Sequence, residues 1–256
     1  MKEINQLDIK PMSGTVKEIM EKAKNTYGAT YKGFRQNDYQ WEVGIRGSAG
    51  VCITLSSYWM LCHTKHKDLL ELMLTSSKEI CPTITELQLA TPQAFEELDL
   101  YLAGKLNCGG LQQVEKQFFT FAQYTYRQLE KEDKNKFGND DQGKKKRFLF
   151  DMAQAMTNPN AKGNYVLIDI TMGQGLGHAM CVHLTKDNKV LYFDPNGGNL
   201  LVSEKEKFCD WFAHFFLLAT ECSYEKTFSA TVRRFEYLPG IVDENKAKEI
   251  WPIIYN

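Results

Sequence analysis

The sequence has no apolar run approaching the roughly 18 residues that a membrane span requires, so no helical membrane anchor is expected. It also has almost no net charge: 31 Lys and Arg stand against 32 Asp and Glu, a formal −1 at pH 7. That balance gives no general attraction to nucleic acid or to an anionic membrane surface. Its seven cysteines, at 52, 62, 81, 108, 181, 209 and 222, contain no C-x-x-C pair and no regular spacing. An odd, irregular set argues against a disulfide framework or a zinc ribbon, and for free thiols folded in a reducing compartment. The first twenty residues, MKEINQLDIKPMSGTVKEIM, carry no apolar h-region and no small-residue cleavage site, so a Sec signal peptide is not expected, and the polar start suits either a cytoplasmic protein or one exported by a machine that reads unfolded N-termini. Internal repeats and low-complexity linkers are also missing.

What is present is a chain of 256 residues that is 43% hydrophobic, enough for one substantial core, and we read 1–256 as a single domain. Residues 1–14 are polar and expected to be loose. Residues 15–160 read as mostly helical. Apolar spacing predicts helices over 15–26, from Cys52 to about Lys65, over 84–106 with a fresh start at Pro92, over 111–129, and over 148–156. Between the last two, 130–147 is charged almost throughout and reads as a solvated loop. After Gly163 the character changes: NYVLIDITM, GHAMCVHLT and KVLYFD read as strands, 203–219 as an amphipathic helix, and 227–237 as another strand. Residues 161–256 are therefore an antiparallel sheet with a helix against it, and the whole is an α+β plan in which a central helix packs on the sheet.

The segment GVCITLSSYWMLCHTKH places Cys52 where a glycine-bearing loop feeds an apolar helix. In the first turn of a helix, unpaired backbone N–H groups and the positive end of the dipole stabilise a thiolate. A buried, inert thiol is the competing reading, and the rest of the chain must decide.

A thiol nucleophile needs a base within hydrogen-bond reach, and the base needs a third group to orient it. Of five histidines, His63 and His66 lie about three turns down the helix from Cys52, and His214 sits among aromatic residues of a late helix. His178 opens a strand directly after a glycine-rich turn. His183, an odd number of residues further, faces the other side of that strand. Asp194 ends the next strand, in VLYFDPNGG. If the two strands pair with Thr185 opposite Lys189, Asp194 falls opposite Met180 and one diagonal from His178, roughly 7–8 Å between backbones. Taken alone, Asp194 reads equally well as a turn-capping residue before Pro195. The order Cys52, His178, Asp194 is that of papain-type enzymes.

GVCITLSSYW, GHAMCVHL and FDPNGG also resemble the three motifs of the YopT and AvrPphB type of bacterial effector cysteine proteases. That resemblance implies a papain-like fold and a Cys-His-Asp triad, with Cys52 as nucleophile, His178 as general base and acid, and Asp194 as orienting acid. It implies a protein substrate in a host cell, a virulence role, secretion without a Sec signal, a monomer, and no cofactor. One departure stands out. Papain-like enzymes carry an amide side chain five or six residues before the cysteine to help bind the oxyanion, and here those positions are Gly47 and Arg46. The Cys52 backbone N–H is one expected donor, and Gln40 is a candidate second.

Two other functions use the same residues. A glutamine deamidase or transglutaminase would attack a side-chain amide through the same acyl-enzyme, and a binding module would keep the fold without the chemistry. A metal site at His178, Cys181 and His183 is not expected, because alternation along one strand prevents their convergence.

Overall fold

A computed structural model describes residues 12–39, 41, 51–105, 121–129, 142–161, 163–172, 177–216, 228–237 and 244–255. Helix α1 spans Met12–Tyr27 and leads into the short strand β1, Thr30–Gly33, and a single 3₁₀ turn, Gln36–Asp38. Helices α2, Cys52–Thr64, and α3, Leu69–Leu102, follow, then β2, Phe121–Leu129, and α4, Gln142–Met156. The back of the chain supplies β3, Tyr165–Met172, β4, Gly177–Leu184, β5, Val190–Asp194, and β6, Gly198–Val202. Helix α5, Lys205–Trp211, runs on into a π-helical turn, Phe212–Phe216, before β7, Phe228–Tyr237, and the short helices α6, Glu244–Ile250, and α7, Pro252–Tyr255.

The strands form one sheet in the order β1-β6-β5-β4-β3-β7-β2, and every neighbouring pair is antiparallel. Strict alternation sorts its side chains into two cores. Tyr165, Leu167, Ala179, Cys181, Phe193 and Phe235 face α2 and α3, whereas Val166, Ile168, Met180, Val182, Tyr192 and Val202 face α1, α4 and α5. Helix α2 is apolar on every side because it is covered on every side, by the sheet, α3 and α7. Ser56 Oγ donates to the Ala179 carbonyl at 3.2 Å, the Cys181 thiol donates to the Ser56 carbonyl at 3.3 Å, and the Tyr58 and Trp251 rings meet at 4.7 Å. The sheet thus fixes the position of the first turn of α2.

Four sequence expectations need correction, the first being the stretch 130–147 read as a loop, whose residues from Gln142 onward belong to α4. Residues 121–129 are the edge strand β2 and not part of a helix, because FAQYTYRQL is rich in β-favouring Phe, Tyr and Thr and finds a partner in β7; residues 111–120 lie outside the described set. The break expected at Pro92 falls instead at Ser76 (φ −134°, ψ 25°). The helix continues through Pro92, held beyond it by burial of Ala94 and Leu98. The front of the chain is mostly helical, but it also contributes both edge strands of the sheet, so the two halves interlock.

Among the described residues, no helix is long and apolar enough to cross a membrane.

Candidate active site

Cys52 is the first residue of α2, and the residue before it, Val51, offers no side-chain cap. Leu55 N bonds the Val51 carbonyl at 2.8 Å, which leaves Cys52 in the turn that opens the helix. The side chain of Cys52 is buried, with 5% exposure. Gln40, the candidate second oxyanion donor, lies outside the described residues, as do Arg46 and Gly47.

Strands β4 and β5 pair Cys181 with Phe193 and Leu184 with Val190, and Thr185 N bonds the Lys189 carbonyl at 2.9 Å. This is the register read from the sequence, and it carries Asp194 to the level of Met180. The ladder ends at Cys181 and Phe193, while β4 continues back to Gly177 alongside β3. His178 and Asp194 face each other beyond that last rung, where His178 Nε2 and Asp194 Oδ1 are 2.9 Å apart. Both side chains are buried. The sulfur of Cys52 is a second hydrogen-bond partner of the His178 ring. With Nε2 facing Asp194, Nδ1 is the nitrogen left to serve the thiol.

Alternation alone sets His183, and not His178, on the face of β4 toward α2. The α2 face of β4 carries Ala179, Cys181 and His183, and His178 belongs by parity to the opposite face. His183 packs against His63 and Tyr165, at 4.5 and 4.4 Å between ring centroids, beside the last turn of α2. His178 meets Cys52 because it lies past the end of the β4–β5 ladder. His63 bonds the Tyr165 hydroxyl through Nδ1 at 2.7 Å, and His214 is exposed beside Asp210.

Burial alone would drive the His178 pKa down. The Asp194 charge and hydrogen bond, and the hydrogen bond to the Cys52 sulfur, outweigh it and push the pKa up to about 10. Burial likewise works to raise the Asp194 carboxyl, but the His178 charge and three hydrogen bonds hold it below its usual value. The arrangement favours an imidazolium between a carboxylate and a sulfur.

The sequence reading missed the residues that hold Asp194. Tyr192 donates its hydroxyl to Asp194 Oδ2 at 3.0 Å, and the Asn196 N–H donates to Oδ1 at 2.8 Å. Asp194 is therefore a turn-capping residue and the partner of His178 at once. Tyr192 was detectable as the same-face neighbour two residues earlier. Gln36 was not, being 160 residues distant from the Asn196 it supports: its side-chain amide donates to Asn196 Oδ1 at 2.7 Å and its N–H to the Pro195 carbonyl at 2.7 Å. Phe34 N and the Tyr31 hydroxyl both donate to the Gly197 carbonyl. From the other side, Trp59 of α2 donates to Asn199 Oδ1 at 2.9 Å and stacks on Phe193.

A thiol at a helix start, a strand-borne imidazole and a buried carboxylate behind it is the geometry of thiol hydrolases as a class. The chain belongs to the peptidase C58 family, described as Yersinia/Haemophilus virulence surface antigen, whose family model matches residues 17–237. A 44-residue stretch is 41% identical to the cysteine protease yopT1 of Yersinia enterocolitica, covering 17% of this chain and 14% of that protein. The match thus spans about a seventh of the length of that relative. Two crystal structures are similar at low identity. The Pseudomonas avirulence protein AvrPphB is 10% identical with a TM-score of 0.41, covering 77% of this chain and 98% of its own. PatoxP, a cysteine protease-like domain of the Photorhabdus asymbiotica toxin PaTox, is 14% identical with a TM-score of 0.43, covering 89% of this chain and 61% of its own.

Proposed function

We propose that this protein is a papain-like cysteine protease in which Cys52 is the nucleophile, His178 the general base and acid, and Asp194 the orienting acid. The observation that carries this reading is the buried His178–Asp194 contact at 2.9 Å, on a ring whose other partner is the thiol opening α2. Membership of a peptidase family supports it.

The thiol proton passes to His178, and the sulfur attacks the carbonyl carbon of a peptide bond. The tetrahedral oxyanion takes a hydrogen bond from the Cys52 N–H, assisted by the positive end of the α2 dipole. His178 protonates the departing amine, leaving an acyl-thioester on Cys52 and a neutral ring. That ring then accepts a proton from water, which attacks the thioester and releases the acid. Asp194 stays ionised throughout and keeps Nδ1 directed at the sulfur.

The substrate is a protein of a host cell, and the enzyme reaches it after export from a bacterium; the family's description as a virulence antigen supports both. A monomer suffices, because one chain supplies all three groups. The test is to express the parent chain and its Cys52→Ala and His178→Ala variants in eukaryotic cells and to profile new protein N-termini. We expect N-termini that depend on the parent chain and disappear in both variants, while circular dichroism shows the fold retained. Cleavage by Cys52→Ala equal to the parent would remove the covalent mechanism. A gain of about 1 Da on glutamine side chains without new N-termini would replace proteolysis by deamidation.

A further inference from the structure

The tetrahedral oxyanion has one backbone donor, the Cys52 N–H, and the positions five and six residues before the thiol, Gly47 and Arg46, supply no side-chain amide for a second. Where a second donor must stand follows from the triad. His178 protonates the departing amine, so that substituent of the tetrahedral carbon faces the imidazole and the oxygen turns to the other side of the sulfur. Around α2, Cys52 and Ser56 lie four residues apart on one stripe, which docks on the sheet where Ser56 Oγ donates to the Ala179 carbonyl. A position two residues beyond Cys52 is turned about 200° from it with only about 3 Å of rise, so it lies in the same turn and faces away from the sheet. That residue is Thr54, and it faces α3.

The buried Thr54 hydroxyl donates to Gln88 Oε1 of α3 at 2.8 Å. Gln88 follows Cys81 and Ile84 at helical spacing, and those two residues pack in the core that surrounds α2. The bond engages the carbonyl end of the Gln88 carboxamide and leaves its NH2 group over the start of α2. Gln88 is half-buried and makes no other hydrogen bond among the described residues. The amides around Asp194 are engaged elsewhere, on the imidazole side: Gln36 Nε2 donates to Asn196 Oδ1, and Asn199 Oδ1 accepts from Trp59. A carboxamide whose oxygen is fixed and whose two N–H groups are unused, level with the nucleophile, is a preorganised donor.

We propose that Gln88 is a further catalytic residue, whose side-chain NH2 is the second donor to the oxyanion, so that the amide papain-like enzymes carry just before the cysteine is supplied here from α3. Gln88 gives a hydrogen bond and keeps its protons: as the C–S bond forms, the carbonyl π pair moves to the oxygen, and the N–H stabilises that charge. The assignment rests on the protease reading for its role in cleavage, whereas its role in acyl transfer to Cys52 is read separately.

The test sets two reactions of the same sulfur against each other. Attack on p-nitrophenyl acetate passes through a tetrahedral oxyanion, whereas displacement of iodide from iodoacetamide passes through none. Gln88→Met keeps the length of the side chain and removes the amide, and Gln88→Glu keeps the acceptor for Thr54 and replaces the NH2 by a carboxylate oxygen. Both should lower the rate of Cys52 acylation by the ester about 10²-fold while changing the rate of Cys52 alkylation by less than about twofold. An unchanged acylation rate in either variant overturns the assignment, and so does an equal fall in acylation and alkylation. A parent chain with no Cys52-dependent acylation overturns both the donor and the protease reading. Gln88-dependent acylation in a chain that releases no new protein N-termini in cells overturns the protease reading and leaves the donor standing.

Discussion

Asp194 shows how much one side chain can be asked to do. Its oxygens accept from the His178 ring, the Asn196 backbone and the Tyr192 hydroxyl, so its charge is fully solvated by protein although its exposure is 1%. Because the folded His178 pKa, about 10, lies above its unfolded value of 6.5, the ion pair stabilises the fold fully below pH 6.5, and this contribution is lost as pH rises to about 10. The same proton is the one His178 gives to the leaving amine. Asp194→Asn keeps the size and removes the anion, so the alkaline limb of kcat/KM should move down from near pH 10 toward neutrality, and kcat should fall by about 10² to 10⁴. A pH–rate profile, or the pH dependence of Cys52 alkylation where turnover is too slow, checks this. A limb that stays in place would mean that Asp194 does not govern the ring.

The element that matters most is the turn between β5 and β6, clamped by the β1 segment in front and by Trp59 of α2 behind. Gly198 has φ +110°, and a Cβ there would run into the Lys32 carbonyl and Phe34 N across the β1–β6 pairing. Gly198→Ala should therefore cost about 3 kcal/mol or more and disturb the neighbouring Asp194. Gly28, at φ +63° with open space around it, is the control, and Gly28→Ala should cost about 1 kcal/mol. Urea unfolding of both variants makes the comparison, and equal losses would count against the clamp. Gln36→Ala tests the same clamp from the 3₁₀ turn that follows β1: kcat should fall and the alkaline limb shift in the same sense as for Asp194→Asn, with a smaller loss of stability than Gly198→Ala. Most of these elements were legible from periodicity. The edge strand β2 was not, because aromatic residues at mixed spacing fit either structure until β7 supplies a partner.

Across the whole molecule, a second histidine group sets the response to acid. His183 and His63 lie ring against ring between α2 and the sheet; burial, with repulsion from His63, lowers the His183 pKa to about 4, and burial, with repulsion from His66, lowers that of His63. These rings are neutral in the fold, and the unfolded chain binds their protons below pH 6.5, so stability falls as pH drops from 6.5 toward 4. His183 alone accounts for about 3 kcal/mol over that range. Thermal melts at pH 7 and pH 4.5 should show a large drop in Tm for the parent and a clearly smaller one for His183→Phe. Identical drops would place the acid sensitivity elsewhere.

From the sequence alone one could read the order of the cysteine, histidine and aspartate, the helix that opens on a thiol, and the strand register that brings 194 level with 180, because these depend on short-range periodicity and turn chemistry. How His178 reaches the thiol from the far face, and what holds the carboxylate in place, was decided only in three dimensions. Parity assigns His183 to the α2 face, and only the point where the β4–β5 ladder ends hands the contact to His178. The donors Gln36 and Trp59 reach the carboxylate's turn through a folded sheet, from positions that no local pattern connects to it.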